Sequence, residues 1–238
     1  MAKLTVDQIR ARFDASVERF SNLETGQTAT MDAAVAMELV ARAAAGVTPG
    51  ARSILDVGCG AGNYTLKVIG ELLSKAVDVT LVDLSGPMLD RAKERVSALT
   101  SGRVETVQAD VRTIDLGEGR FDMILAAAVL HHLRTDDEWR AVFAAFHRAL
   151  RPGGGVWVFD LVESPLPGVR AVMWERYGEY LVGFKGEAYR DEVFTYIEAE
   201  DTPRSVGFQM GVMREVGFGG IDVLHKNGPF AAFGGVKG

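Results

Sequence analysis

Short runs of branched apolar residues alternate with helical segments from residue 53 onward, and this alternation constrains the fold more than any other feature. The apolar runs are SILDVG, VDVTLVD, RVETVQAD, FDMILAAA and GVWVFDLV. Between them lie segments with apolar residues three or four positions apart, which is the spacing of an amphipathic helix. Strands that alternate with helices form parallel sheets joined by right-handed crossovers. We therefore predict an open α/β sheet.

Both flanks of this region depart from the alternation. Residues 5 to about 46 carry helical spacing, with Ile9 and Phe13 on one face, and predict a helical N-terminal segment. Near the other end, GGIDVLHK and GPFAAFGGVK read as strands joined through Asn227 and Gly228, a dipeptide typical of tight hairpins. A parallel sheet that ends in an antiparallel hairpin differs from an ordinary dinucleotide-binding fold.

Composition limits the class of protein. The 238 residues carry a formal net charge of −6, which does not suggest a broad nucleic-acid footprint. The single cysteine, Cys59, cannot form an internal disulfide, and no apolar run has the length of a membrane helix. We expect a soluble, cytoplasmic protein without a targeting segment.

The stretch ILDVGCGAG places Gly58, Gly60 and Gly62 on alternate positions after the first strand. A dinucleotide site needs GxGxxG, and Asn63 stands where its third glycine would be. A carboxylate beside the loop, Asp56, would repel a pyrophosphate and attract a cation. The loop therefore predicts a ligand that has positive charge and no phosphate.

ILDVGCGAG resembles motif I of the class I S-adenosylmethionine-dependent methyltransferases, and later motifs follow in that family's order. Asp83 in LVDLS resembles the family's acid that binds both ribose hydroxyls, and Asp110 in QADVR the acid that binds the adenine amino group. FDMILAAAVLHHL and LRPGGGVWVFD resemble the fourth strand and the turn into the fifth. The match covers roughly residues 50 to 163. It implies a Rossmann-like α/β fold with a mostly parallel seven-stranded sheet, a C-terminal antiparallel hairpin and S-adenosyl-L-methionine as cofactor.

The resemblance also implies a domain plan and a set of site residues. One methyltransferase domain would comprise an N-terminal helical cap (1–50), a cofactor-binding core (51–163), an aromatic lid-like insert (164–202), and a C-terminal helix and hairpin (203–238). The expected cofactor-binding residues are Asp56, Gly58, Cys59, Gly60, Asp83, Leu84, Met88, Asp110, Val111 and Ala126. Cys59 reads most simply as a small filler and Met88 as core, and Ser85 supplies the helix N-cap that leaves Asp83 free. No metal site is expected.

The acceptor is harder to read than the cofactor. Methyl transfer is an in-line displacement that mainly requires alignment and exclusion of water, so a dedicated base is not required. His131, at the end of the fourth strand, is the candidate base, with a capping or supporting role as the alternative. Trp174 and Tyr177 in the aromatic insert suit one buried helix face as well as a substrate lid. Phe20, with Arg19 and the TGQT stretch (25–28), is expected to close over the cofactor.

The flanking segments resemble, more weakly, the carboxy-S-adenosylmethionine synthases of wobble-uridine modification. The likeness lies in an FD-containing first helix, the aromatic insert, a helix ending in VGF and the final FAAFGGVKG. Those enzymes hold the added carboxylate with an arginine, and Val212 occupies that position here, although Arg204 and Arg214 lie nearby. A valine cannot pair with a carboxylate, which favours ordinary S-adenosylmethionine.

Three functions stay open at this point. The first is a methyltransferase with a small-molecule acceptor. The second is a carboxy-S-adenosylmethionine synthase or tRNA-linked relative, and the third is a non-catalytic S-adenosylmethionine-binding protein. The acidic charge balance does not favour nucleic acid as a partner, and tRNA stays open under the second function. The apolar C-terminal hairpin, with Phe230 and Phe233, packs either inward or against a second copy in a homodimer.

Overall fold

A mixed sheet of seven strands forms the centre of the computed structural model, which describes residues 3–22 and 28–238. The strands are β1 (Ser53–Val57), β2 (Asp78–Asp83), β3 (Val104–Gln108), β4 (Phe121–Ala127), β5 (Leu150–Leu161), β6 (Phe218–Asn227) and β7 (Phe230–Lys237). Their order is β3-β2-β1-β4-β5-β7-β6. The first five are parallel, and β7 runs antiparallel to both of its neighbours. The predicted class of sheet is confirmed.

Helices cover both faces of the sheet. They are α1 (Val6–Asp14), α2 (Val17–Ser21), α3 (Ala33–Val47), α4 (Asn63–Glu71), α5 (Gly86–Ser97), α6 (Asp136–Ala149), α7 (Pro167–Lys185), α8 (Glu187–Glu200) and α9 (Val206–Glu215). No helix among the described residues is long and apolar enough to span a membrane.

Two apolar clusters form because successive strand residues point to opposite faces of the sheet. In β1, Ile54 belongs to the cluster with α3, α4 and α5, and Leu55 to the cluster with α6 and α9. In β4, Leu125 and Ala126 divide in the same way. The sheet is thus buried on both faces, which explains the nearly continuous apolar runs of its parallel strands.

The C-terminal hairpin is confirmed, and it lies inside the fold. Asn227 pairs with Phe230 at the turn, and β7 inserts between β5 and β6. Phe230 is 6% exposed and Phe233 is fully buried. These phenylalanines pack within the chain and form no apolar patch for a partner.

The fifth strand begins earlier than its sequence predicts. RPGGG reads as a turn before the strand, but β5 starts at Leu150, which pairs with Phe121 of β4. The register then shifts, and pairing resumes between Met123 and Gly155. The turn residues form an irregular stretch within β5, which the propensities of proline and glycine cannot distinguish from a loop.

Helices α7 and α8 form a helical hairpin joined at Gly186, whose φ is 86°. In this insert, Tyr177 is 1% exposed and its ring meets Phe230 edge-on at 5.1 Å. The hydroxyl of Tyr177 donates to the main-chain oxygen of Ala29 at 2.8 Å. The insert is therefore anchored both to the sheet and to the segment before α3.

Candidate functional site

A cavity of about 620 Å³ lies where the carboxyl ends of β1, β2 and β4 meet, which is the edge at which parallel α/β sheets bind ligands. The glycine loop, residues 58–62, forms part of its wall, with side chains from the ends of the strands. Residues from the α1 and α2 region line another part. The volume is in the range of small-molecule sites.

The glycine loop needs its glycines for different reasons. Gly58 has a φ of 64°, and a Cβ there would lie 2.5 Å from Cγ2 of Val129. Gly60 has a φ of 49°, yet a Cβ there would meet nothing within 4 Å. The loop thus packs tightly against the strand-four connection at Gly58, while Gly60 leaves open space in the cavity wall. Cys59 is buried, and burial raises the pKa of its thiol, so it fills the loop as a neutral side chain.

Asp83 ends β2 and is 8% exposed. Its Oδ2 accepts from the N–H of Gly60 at 2.8 Å, and its Oδ1 from the N–H of Ser85 at 2.9 Å. Burial raises the pKa of Asp83, although these main-chain donors oppose the shift. Ser85 accepts from the N–H of Met88 as the N-cap of α5, as predicted. The cap leaves the Asp83 carboxylate on the cavity wall.

Asp56 lies in β1 just before the glycine loop. It is 1% exposed and lines the cavity, and the hydroxyl of Thr65 donates to its Oδ2 at 2.6 Å. Burial raises the pKa of Asp56 to about 7, against the opposing hydrogen bond from Thr65. A cationic ligand group nearby would favour its ionised form.

Asp110 is paired with Arg112, a residue that the motifs did not single out. The guanidinium Nε donates to Oδ1 and Oδ2 of Asp110 at 2.9 and 3.1 Å. Burial favours a higher pKa for Asp110, but the hydrogen bonds from Arg112 outweigh it and the net pKa is lowered. Both residues line the cavity. Asp110 is therefore a fixed, ionised acceptor whose position Arg112 sets.

The remaining predicted cofactor residues divide into two groups. Leu84, Met88 and Val111 line the cavity. Ala126 does not: it is fully buried on the opposite face of β4, in the cluster with α6 and α9. Strand alternation turns the side chain of Ala126 away from the cavity, and the next residue, Ala127, lines the cavity.

The two histidines after β4 differ in placement. His131 does not line the cavity. Its ring Nδ1 contacts Oδ1 of Asp160, and its main-chain N–H donates to Oδ2 of Asp160 at 2.9 Å. Burial alone lowers the pKa of His131, but Asp160 and Asp201 outweigh burial and raise it to about 9. His132 does line the cavity, and burial together with neighbouring His131 lowers its pKa. This placement favours the supporting role for His131 over the base.

The N-terminal helices cover the cavity. Arg19 and Phe20 line it, and the main-chain oxygen of Phe20 accepts from Nδ2 of Asn63 at 2.9 Å. Asn63 also accepts from Arg95 at 2.8 Å, so one side chain ties α2 to the glycine loop and α5. Within TGQT, residues 25–27 lie outside the described residues. Asn63 stands where a GxGxxG motif would have its third glycine. This departure from the motif is the sequence signal for its role at the loop.

The aromatic insert contributes one ring to the cavity. Tyr196 of α8 lines it beside Arg12 of α1, whose guanidinium lies 5.2 Å from the ring centroid. Trp174 and Tyr177 instead pack on Phe194, with ring centroids 5.4 and 5.7 Å away. Trp174 and Tyr177 are therefore packing residues, and Tyr196 is the contribution of the insert to the cavity wall.

The three residues considered for binding the carboxylate of a carboxylated cofactor, Val212, Arg204 and Arg214, lie away from the cavity. Val212 is 2% exposed in the cluster with α6 and α9, and does not line the cavity. Arg204 pairs with Asp136 at 2.9 Å, and neither it nor Arg214 lines the cavity. None of the three is placed to bind a ligand group there.

Residues 54–154 match a protein family described as a methyltransferase domain. The chain is 32% identical over 128 residues to a carboxy-S-adenosyl-L-methionine synthase of Chromohalobacter salexigens, covering 53% of this chain and 46% of that one. It is 25% identical over 180 residues to a demethylmenaquinone methyltransferase of Lactococcus lactis, covering 74% and 69%. The chain spans about half the length of several curated relatives that it matches.

Among solved structures, the cyclase SpnF superposes with a TM-score of 0.67, covering 100% of this chain and 97% of that one. The sequence identity is 16%, so the likeness concerns the fold. One fold of this kind hosts different chemistries, and the activity has to be argued from the site.

Proposed function

We propose, from the premise that residues 54–154 are a methyltransferase domain of the S-adenosylmethionine-dependent class I family, that this chain transfers a methyl group to a small-molecule acceptor. The observation that carries the proposal is the placement of Asp56, Asp83 and Asp110 on the wall of one cavity beside the glycine loop. The three acids lie at or just after the carboxyl ends of β1, β2 and β3, and each has a distinct electrostatic setting.

The cavity wall fits S-adenosylmethionine, which carries an ammonium, a sulfonium and an adenosine but no phosphate. Asp83 retains carboxylate lone pairs beyond its two main-chain donors and is suited to ribose hydroxyls. Asp110 is suited to the adenine amino group, and Asp56 to the ammonium. The open side of Gly60 gives such a ligand room to approach the loop.

The bound cofactor supplies an electrophilic methyl group on its sulfonium. The chain's own residues have to align the acceptor for in-line displacement and keep water out. Arg12 and Tyr196, which no motif supplies, line another part of the wall together with His132, and this is where we place the acceptor. Cover by α1 and α2 suits a small molecule better than a macromolecule.

Methyl transfer is tested with S-adenosylmethionine carrying a labelled methyl group and a panel of small phenols, carboxylic acids and amines. We expect label in at least one acceptor class, loss of transfer in Asp83→Asn, and inversion of a chirally labelled methyl group. Tight cofactor binding with no transfer to any acceptor class would favour the non-catalytic alternative.

The carboxy-S-adenosylmethionine alternative draws support from the 32% identical relative. The buried position of Val212 weighs against it, because no cation is supplied from that helix position to hold the added carboxylate. Mass analysis of the small molecule that copurifies with the chain separates the two. The carboxylated form would favour this alternative over methyl transfer.

A further inference from the structure

Beside the cavity, His131, His132 and Asp201 bring three metal-ligating side chains together. One ligand atom from each lies within 4.8 Å of the others. Nδ1 of His132 is 3.2 Å from Oδ1 of Asp201, and Nε2 of His131 is 3.6 Å from the same oxygen. Ligands of a tetrahedral zinc ion with bonds of 2.0–2.1 Å lie about 3.3 Å apart. The two separations bracket that value.

Polar atoms of this cluster lack hydrogen bonds, which is unusual for buried groups. Both ring nitrogens of His132 and Oδ1 of Asp201 are buried and make no hydrogen bond of good geometry, although Nδ1 of His132 lies 3.2 Å from Oδ1 of Asp201. Asp201 is 5% exposed and so has little contact with bulk solvent. An ion among these three atoms would satisfy Oδ1 of Asp201 and one nitrogen of His132 at once.

Asp160 provides the outer support that metal-bound histidines ordinarily have. Its carboxylate contacts the ring Nδ1 of His131 and accepts a hydrogen bond from the main-chain N–H of His131 at 2.9 Å. A carboxylate on Nδ1 fixes the ring orientation and leaves Nε2 as the ligand atom. Nε2 is the nitrogen of His131 that faces Asp201.

The carboxylates of Asp160 and Asp201 contact the two histidines of the cluster. Arg12 pairs with Glu200 at 2.5 Å, and Lys3 and Arg134 donate to main-chain oxygens at the carboxyl end of α8. Lys3 and Arg134 also attract Asp201 electrostatically. The carboxylates of Asp160 and Asp201 are the anionic groups that would favour a cation beside neutral imidazoles.

We propose that His131, His132 and Asp201 bind a divalent transition-metal ion, with Asp160 as the positioning residue on His131. Two imidazole nitrogens and one carboxylate oxygen suit zinc or cobalt better than magnesium or calcium. The site would join the end of α8 to the end of β4 at the cavity wall. It departs from the expectation of no metal, because Asp160 and Asp201 are distant in sequence from the two histidines. The proposal does not rest on methyl transfer.

The test is titration of the full chain with Co²⁺ after treatment with a chelator, with visible absorption as the readout. We expect one Co²⁺ per chain, absorption bands of a low-coordinate ion, and displacement by Zn²⁺. Asp201→Asn and His132→Gln are expected to abolish stoichiometric binding, and Asp160→Asn to weaken it about 10-fold to 100-fold. His147→Gln on α6 and Cys59→Ala are the controls that keep binding.

Wild-type protein that is folded by circular dichroism and binds no stoichiometric Co²⁺ would overturn the proposal, whatever the variants do. Equal binding by wild type and folded Asp201→Asn would also overturn it. The cluster would then be an imidazolium between two carboxylates. Cofactor binding, measured separately on the same chelated protein, distinguishes this failure from failure of the proposed function.

Discussion

Oδ2 of Asp83, at the end of β2, accepts a hydrogen bond from the main-chain N–H of Gly60 at 2.8 Å. This hydrogen bond holds the carboxylate of Asp83 against the glycine loop as one structural unit, although Asp83 and Gly60 are 23 positions apart in sequence. Their alignment follows from the parallel pairing of β1 and β2, which sets Val57 beside Val82.

Replacement of Asp83 by asparagine tests this unit. An amide has one acceptor oxygen in place of two, so one of the N–H groups of Gly60 and Ser85 faces a donor. We expect at least about tenfold weaker S-adenosylmethionine binding by calorimetry, from the loss of a buried acceptor. Asp90→Asn makes the same chemical change on the exposed side of α5 and is expected to leave the affinity unchanged. Equal affinities in wild type and Asp83→Asn would remove the ribose assignment.

Asp56 gives the ligand-free protein a specific pH dependence. Its folded-state pKa is raised from 3.8 to about 7, so the folded state holds the proton more tightly than the unfolded state. The stability from this proton is full below the unfolded pKa and is lost as the pH rises through about 7. Between pH 5 and pH 8, wild type is expected to lose about 2 to 3 kcal/mol more unfolding free energy than Asp56→Asn.

Urea unfolding of both proteins at the two pH values measures that difference. The comparison with Asp56→Asn matters because other groups titrate in the same range. Asp90→Asn serves again as the matched control and should follow wild type. Parallel losses in wild type and Asp56→Asn would show that Asp56 is ionised in the folded state across this range.

Gly58 and Gly60 are predicted to differ in their tolerance of a methyl group. Both have positive φ, but only at Gly58 does the added Cβ meet Val129, at 2.5 Å. We expect Gly58→Ala to lower the unfolding free energy by about 3 kcal/mol, from strain plus overpacking. Gly60→Ala should cost about 1 kcal/mol, from strain alone. Denaturant unfolding of both variants measures the two losses of unfolding free energy. Equal losses would contradict the close approach of Val129 to Gly58.

The cover over the cavity is tested at α2. Phe20 lines the cavity and Val17, on the same helix, does not. We expect Phe20→Ala to weaken S-adenosylmethionine binding several-fold, because an aromatic contact with the cofactor is lost. Val17→Ala removes a smaller apolar side chain from the same helix and should bind like wild type. If Phe20→Ala also binds like wild type, α2 does not cover the cofactor.

Much of the fold could be predicted from the sequence because local pattern and tertiary structure agree there. The five parallel strands, the helices between them and the Asn227-Gly228 hairpin have short-range signals. The insertion of β7 between β5 and β6 has no short-range sequence signal, because the pairing partners of the last strands depend on the whole sheet. The start of β5 at Leu150 could not be predicted either, because the pairing of Leu150 with Phe121 forms a strand where the sequence reads as a turn.

The candidate site divides in the same way. Asp56, Asp83 and Asp110 stand in ordered motifs, so the sequence predicts them, and all three line the cavity. Arg112 and Asn63 act through contacts with partners, and Tyr196 reaches the cavity from an insert whose packing no periodicity reveals. The choice between two adjacent histidines depends on Asp160 and Asp201, which the fold brings to them from β5 and from the end of α8.

The central claim is that the cavity beside the glycine loop is a site for S-adenosylmethionine, and native mass spectrometry of the full chain tests it most directly. The account predicts one S-adenosylmethionine per chain, displaced by its demethylated product and absent from Asp83→Asn. A folded chain that binds neither compound, or binds them equally in wild type and Asp83→Asn, would contradict it.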